Sequence, residues 1–268
     1  MPEMPEMETY RRLLSTSVNN LPITDVVINR EKSINVPVVT FRNELIGRKI
    51  INIRRRAKYL LFDLDSGDSL LLHLMLGGWM YIGGEDDTPD RTKQIIITFN
   101  SKQLQFIGLR LGFLHLLKKE ALNKKLENLG PELNELSLEK WVSLLQKRRG
   151  KIKTTLINQE VVAGIGNLYS DEICYEAKVH PEQTSLTVEQ LSNLYHAMVN
   201  VMKEAIHYGG YMDNPLYKED NLVGSFYERR KVYDREGEKC KRCNSIIQKI
   251  KISSRKSYIC PHCQIVSA

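Results

Sequence analysis

The chain opens Met1-Pro2-Glu3, and removal of Met1 would leave Pro2 as a free secondary amine beside a carboxyl group. An α-amino group titrates near roughly 7.7–8.0, against about 10.4 for a lysine, so an appreciable fraction is neutral at physiological pH. Such an amine attacking a sugar aldehyde carbon yields an iminium, an electron sink that permits elimination at the neighbouring carbon. Glu3 is close enough to act as general acid on the departing group or the ring oxygen. Glu6 belongs to the same opening stretch, PEMPEM. Taken alone, the same residues are an inert start to a helix.

Four of the five cysteines make two pairs, Cys240-x2-Cys243 and Cys260-x2-Cys263, with sixteen residues between the pairs. Four thiolates on two knuckles make a closed tetrahedral zinc site, which holds a fold together and leaves no position for activating water. One structural zinc per chain is the expectation. The intervening NSIIQKIKISSRKSYI alternates like a hairpin and could present Arg255 to a phosphate. Cys174 stands alone in an apolar helical pattern.

Three further stretches could meet an anion. VVAGIGNLY (161–169) joins two helical patterns, and amides at the second helix start could face a phosphate with Asn167 as a side-chain contact. The bland alternative is a helix–helix turn. RRRAKYLLF (54–62) sets three arginines before Lys58 at the mouth of a strand, which could also be a solvated basic face. His73 in LLHLML reads either as a satisfied strand histidine or as a functional group.

Composition agrees with a polyanionic partner. The 268 residues are 42% hydrophobic and 26% charged, with a net charge of +7. From Cys240 to the end there are six basic residues and no acidic ones, so that segment alone carries +6. No apolar run is long enough to span a bilayer, and the start does not resemble a basic-then-apolar leader, so a cytoplasmic protein is expected.

These groups need elements to hold them. Met7, Tyr10, Leu13 and Leu14 mark one face of a helix over residues 3–16. Between about 22 and 117, short apolar or alternating runs such as KYLLFDLD, SLLLHLML and QIIITFN are separated by turn-rich pieces, which predicts a β-sandwich packed against that helix. A polar stretch near 118–130 reads as a connection. Ser137 can cap a helix carrying Leu138, Trp141 and Leu145. Thr187 and Gln190 make a capping box before a long helix that Gly209 would stop. Residues 211–235 read as a polar loop. The expected fold class is α+β in two domains. The boundaries are 1–118 for the helix and sandwich, 119–129 for a linker, 130–235 for the helical domain and its loop, and 236–268 for the zinc finger.

Together the stretches PEMPEMETYRRLL, RRRAKYLLF, LLHLMLGG, ENLGPEL, KIKTTLINQEVVAGIGNLYSDEI and SSRKSYICPHCQ resemble the formamidopyrimidine-DNA glycosylase and endonuclease VIII family of base-excision repair enzymes. The resemblance covers nearly the whole chain. It implies a monomeric two-domain clamp on double-stranded DNA carrying a damaged base or abasic site, with a helix–two-turn–helix domain and a zinc finger. It assigns Pro2 as nucleophile, Glu3 as acid, Glu6 as support, and Lys58 as a catalytic lysine near the phosphates of the extruded nucleotide. His73, Asn167 and Arg255 become DNA contacts, and the loop at 211–232 a cover for the damaged base. It also implies a bacterial-type, nucleoid-associated protein without redox or nucleotide cofactor.

The sequence departs from the family where relatives fill the vacated helix space with Met, Arg and Phe. Those positions align with Leu76, Leu109 and Leu111, with Arg110 one residue from the arginine position. Ala57 replaces the glycine expected before the lysine, and Asn158 the aspartate before Gln159. The leading expectation is therefore a glycosylase with lyase activity on oxidised or ring-opened bases. The alternatives are a changed lesion range such as alkylated bases, or a damage-binding homologue with little chemistry. A zinc ribbon fused to an unrelated enzyme is the third, and it leaves the opening motif unexplained.

Overall fold

The computed structural model describes residues 1–265, so the last three positions of the expected finger span lie outside the described residues. The chain divides into two compact units, Met1–Glu127 with Tyr208–Ser225, and Asn128–His207 with the chain from Phe226 onward.

In the first unit, α1 (Met4–Val18) starts where Pro5 falls in the first turn, whose N–H groups lack helical partners anyway. Met7, Tyr10, Leu14 and Val18 recur at helical spacing and are fully buried. They pack into a core shared with β1 (Asp25–Ile28), α2 (Val38–Leu45), β2 (Ile50–Arg56) and β3 (Tyr59–Leu64). The strands β4 (Ser69–His73), β5 (Trp79–Gly83), β6 (Lys93–Phe99), β7 (Lys102–Ile107) and β8 (Phe113–Leu117) complete two antiparallel sheets, ordered β1-β6-β7-β5 and β2-β3-β4-β8. Alternation decides which side each residue serves. Leu60, Phe62 and Leu64 of β3 enter the main core, while Leu61 turns outward to meet Leu71 and Leu122.

Two elements differ from the sequence reading. VVTFRNEL is α2, a helix within the stretch read as strands; Phe41 and Leu45, one turn apart, are its buried residues. The stretch read as a linker contains α3 (Lys119–Leu126), amphipathic through Leu122, which covers the outer face of β3 and β4. Residues 208–225, grouped by sequence with the helical domain, belong by their contacts to the first unit. Leu216 is fully buried there and its carbonyl accepts the Ile82 N–H at 2.7 Å. The polar look of this loop partly reflects internal capping, because the Asp220 carboxylate accepts the amides of Leu216, Leu222 and Val223.

The second unit holds α4 (Leu138–Gln146), α5 (Ile152–Leu156), α6 (Asn167–Glu176) and α7 (Val188–His207), followed by the hairpin β9 (Gln248–Ile252) and β10 (Arg255–Ile259). Ser137 caps α4 by accepting the Lys140 amide, and Thr187 and Gln190 form the reciprocal capping box of α7. Trp141 is fully buried and donates its indole N–H to the Leu191 carbonyl at 2.9 Å. Truncating it to alanine would cost about 3–5 kcal/mol in cavity and lost contacts.

Candidate active site and nucleic-acid interface

Pro2, Glu3 and Glu6 come together at the head of α1, all buried. Glu3 is the N-cap, and its side chain and that of Glu6 form a reciprocal capping box. The Glu6 carboxylate is shared between two distant backbone groups. Its Oε2 accepts the Glu3 N–H at 2.6 Å, and its Oε1 accepts the Tyr211 N–H at 2.7 Å. Gly210, at φ +72°, lies so close that a Cβ there would fall 2.4 Å from Glu6 Oε1. Glu6 therefore fixes backbone, and the adjoining Glu3 and Pro2 are held in place by it. Met1 precedes Pro2 and is 49% exposed, so the Pro2 nitrogen is an amide until Met1 is removed.

Lys58 sits in the two-residue connection between β2 and β3, where Arg56 pairs with Tyr59, and it is buried. Ala57 occupies that turn at φ +53°, a left-handed conformation that glycine adopts without strain. His73 packs its ring 4.6 Å from Tyr59 and stacks on Phe113, which stacks in turn on His115. Burial, reinforced by the charges of Lys58 and Lys125, pushes His73 down to about 4, so the ring is neutral at pH 7. Its buried Nδ1 has no hydrogen-bond partner among the described residues.

The arginine run is less free than a solvated face. Arg54 makes a two-pronged pair with Asp63 at 2.6 and 2.7 Å, and Arg55 reaches Glu8 at 3.2 Å. Burial acts against ionisation of Glu8, but hydrogen bonds from Arg11 and Arg12 and the charges of Arg11 and Arg55 bring its carboxyl down to about 2.

The three aligned leucines separate. Leu76 and Leu111 are 63% and 62% exposed, whereas Leu109 is fully buried in the main core. Leu109 is therefore corrected to a core residue. Its backbone is pinned by Gln94 Oε1, which accepts the Leu109 N–H, and by Ser33 Oγ, which donates to its carbonyl. Arg110 beside it is exposed, and its carbonyl accepts from Arg30. The two loops bearing the exposed leucines touch backbone to backbone. Gly108, at φ +70°, leaves no room for a Cβ, which would meet the Gly77 carbonyl at 2.0 Å.

In the second unit, Asn167 is the first residue of α6, with its buried Oδ1 unpartnered among the described residues. Gln159 holds the glycine turn before it. Its amide donates to the carbonyls of Ile157 and Ile165, and its oxygen accepts the Gly164 N–H. Two carboxylates on α6 are fully buried. Asp171 pairs with Lys153 at 2.5 Å, with both side chains at 0% exposure, and it also accepts from Ser257 Oγ and the Tyr258 amide. Burial pushes Asp171 up to about 6, against the pull of these partners. Glu172 accepts the successive amides of Lys231, Val232 and Tyr233, and burial raises its pKa. Neither residue stood out in sequence. Their only signal was charge at positions where the surrounding helix is buried.

The four cysteine sulfurs lie within 4.8 Å of one another. Cys243 and Cys260 are 3.4 Å apart and Cys240 and Cys263 4.0 Å, near the roughly 3.8 Å edge of a tetrahedron with about 2.3 Å zinc–sulfur bonds. Backbone amides of Arg242 and Cys263 point at Cys240 and Cys260, and Tyr175 Oη lies 3.3 Å from Cys240 Sγ. These contacts suit thiolate charge, so the set fits a structural zinc. Arg255 begins β10 at the exposed tip, after Ser253 and Ser254 turn the chain in left-handed conformations. Among the described residues Lys251, Arg255 and Lys256 make no ion pair, whereas Lys249 pairs with Glu236 and Arg242 with Glu176.

Residues 1–113 match the formamidopyrimidine-DNA glycosylase N-terminal domain, 129–214 its H2TH domain, and 237–265 the zinc finger found in FPG and IleRS. The chain belongs to the formamidopyrimidine-DNA glycosylase family. A formamidopyrimidine-DNA glycosylase of Listeria innocua is 36% identical, over 98% of this chain and 100% of that protein. One from Pelotomaculum thermopropionicum is also 36% identical, over 99% and 100%. A Lactococcus lactis FPG mutant in complex with Fapy-dG-containing DNA superposes with a TM-score of 0.90 at 31% identity, covering 98% of this chain and 99% of that one. The same enzyme with abasic-site DNA gives 0.90 at 30% identity and the same coverage. The resemblance, the two-domain α+β fold class and the structural zinc expected from sequence are borne out. No helix among the described residues is long and apolar enough to cross a membrane.

Proposed function

We propose that this family member is a base-excision-repair DNA glycosylase with abasic-site lyase activity, acting on double-stranded DNA with an oxidised or ring-opened base. The observation that carries the reading is the buried Pro2–Glu3 pair at the head of α1, locked by the Glu6 carboxylate. The damaged nucleotide is turned out of the stack, because its reacting carbon is inaccessible within the duplex. The Pro2 nitrogen attacks C1′ and the bond from C1′ to the base breaks, the electron pair and a proton leaving with the base. Glu3 protonates the ring oxygen, and the opened sugar becomes an iminium at C1′. Loss of a C2′ proton then expels the 3′ phosphate, nicking the strand, and water releases the sugar from Pro2.

Lys58 stabilises the departing phosphate, while His73, neutral and with its Nδ1 unpartnered among the described residues, donates a ring N–H to a phosphate oxygen beside it. Asn167 and Arg255 grip flanking phosphates. Leu76 and Leu111 form an apolar wedge for the emptied stack, flanked by Arg110. The functional domains are 1–127 with 208–225, and 128–207 with the chain from 226 that includes the finger, and the protein works as a monomer on the bacterial nucleoid.

Single-turnover nicking of an abasic duplex tests the reading, comparing protein whose intact mass starts at Pro2 with protein extended by one residue ahead of it. Nicking confined to the Pro2-start form is expected, and equal nicking by both forms would overturn it. A second reading, a damage-binding homologue with little chemistry, is favoured by the purely apolar wedge. It predicts tight binding with no nicking by either form.

A further inference from the structure

We infer that Lys153, Asp171 and Ser257 are positioning residues that lock the two phosphate grips into one clamp, an inference that rests on the roles proposed above for Asn167 and Arg255. A chain of hydrogen bonds runs from the backbone of Asn167 to the strand that carries Arg255. Lys153 Nζ donates to the Asn167 carbonyl at 3.2 Å and to Asp171 Oδ1 at 2.5 Å. Asp171 Oδ1 also accepts from Ser257 Oγ at 2.5 Å, and Oδ2 accepts the Tyr258 amide at 3.0 Å. Ser257 is two residues from Arg255 on the same short strand, so Asp171 sets the register of the strand that displays Arg255.

A buried ion pair is a poor source of stability, since desolvation offsets most of the attraction. What it supplies is geometry: each oxygen and each proton has one place to be. Asn167 and Asp171 lie one turn apart on α6, a rigid ruler, and Lys153 ties the helix start while Asp171 ties the finger strand. Apolar side chains of matching volume could fill the space, but they would leave β10 free to slide by fractions of an ångström. A charge-assisted contact to phosphate is sensitive to such shifts.

Removing a buried charge could unfold the unit, so the test uses Ser257→Ala, with Ser257→Thr as the variant that keeps the hydroxyl. Binding to a duplex carrying a tetrahydrofuran abasic analogue is measured over a series of salt concentrations, alongside Asn167→Ala, Arg255→Ala and the S257A/R255A pair. Zinc content and melting temperature are followed for each variant. The expected result is about tenfold weaker binding by S257A, a slope of log affinity against log salt smaller by about one, as for R255A, and no further loss in the pair. S257T should bind like the native protein. A merely structural role would change melting without changing the salt slope. Native-like binding and slope by S257A, with R255A still weakened, would overturn the inference and leave the proposed function standing. Native-like binding by both R255A and N167A would overturn the grip roles, and the inference with them.

Discussion

The Glu6 carboxylate accepts the backbone N–H of Tyr211 at 2.7 Å, joining the first turn of α1 to the root of the loop at 208–225. With the Glu3 amide on its other oxygen, one side chain satisfies two backbone donors from opposite ends of the unit's sequence. Glu6→Ala would strand both, at about 1–3 kcal/mol for each buried donor that water does not reach. We expect about 2–6 kcal/mol less stability in urea unfolding, and slower nicking even where the variant is fully folded. Unchanged nicking would mean that Glu6 does not position the amine.

Ala57 carries a left-handed strain that glycine would relieve. Ala57→Gly should stabilise the protein by about 1 kcal/mol, read as a rise in melting temperature. Lys58 should keep its place, so nicking is expected to hold within about twofold, a change too small to reflect a lost transition-state contact.

The pH dependence of stability has a definite sign. His73 is lowered from 6.5 to about 4, so its contribution is full above pH 6.5 and is lost as pH falls towards 4. Glu8, lowered to about 2, loses its contribution only below about 4.5. Asp171, raised to about 6, runs the other way and loses its contribution as pH rises through 6. Comparing native protein with His73→Phe isolates one of these. Between pH 7 and pH 4.5 the native protein should lose about 2 kcal/mol relative to H73F, measured by urea unfolding at both values.

Removing the metal should be more drastic. The finger core is small, built around Val232, Ile247 and Tyr258 beside the cysteines, and metal-binding energy in such modules is folding energy. A strong chelator is expected to release one zinc per chain, unfold the β9–β10 hairpin and abolish duplex binding, with re-addition of zinc restoring both.

Leu76 and Leu111 can fill space but cannot hydrogen-bond a base. A polar pair reading an orphaned base is worth about 1–3 kcal/mol of discrimination. Affinities for the abasic analogue opposite each of the four bases should therefore fall within about tenfold of one another. Leu111→Ala should weaken all four alike.

The elements with strong local chemistry were legible in sequence. Capping residues marked α4 and α7, a short apolar run marked β3, and cysteine spacing marked the zinc site. The rest depends on partners far away in the chain. Nothing around Leu109 distinguishes it from Leu111, yet Gln94 and Ser33 hold its backbone in the core while Leu111 points outward. The α2 segment begins with β-branched valines, which read as strand, and only its packing of Phe41 and Leu45 makes it a helix. Lys153 and Asp171 look like surface charges until the fold buries them against each other.

Borohydride trapping on a duplex with one abasic site tests the central claim most directly, with the adduct mapped by mass spectrometry of peptides. An adduct on the Pro2 nitrogen, absent when a residue precedes it, is the predicted result. No adduct despite tight binding, or an adduct on a lysine instead, would contradict it.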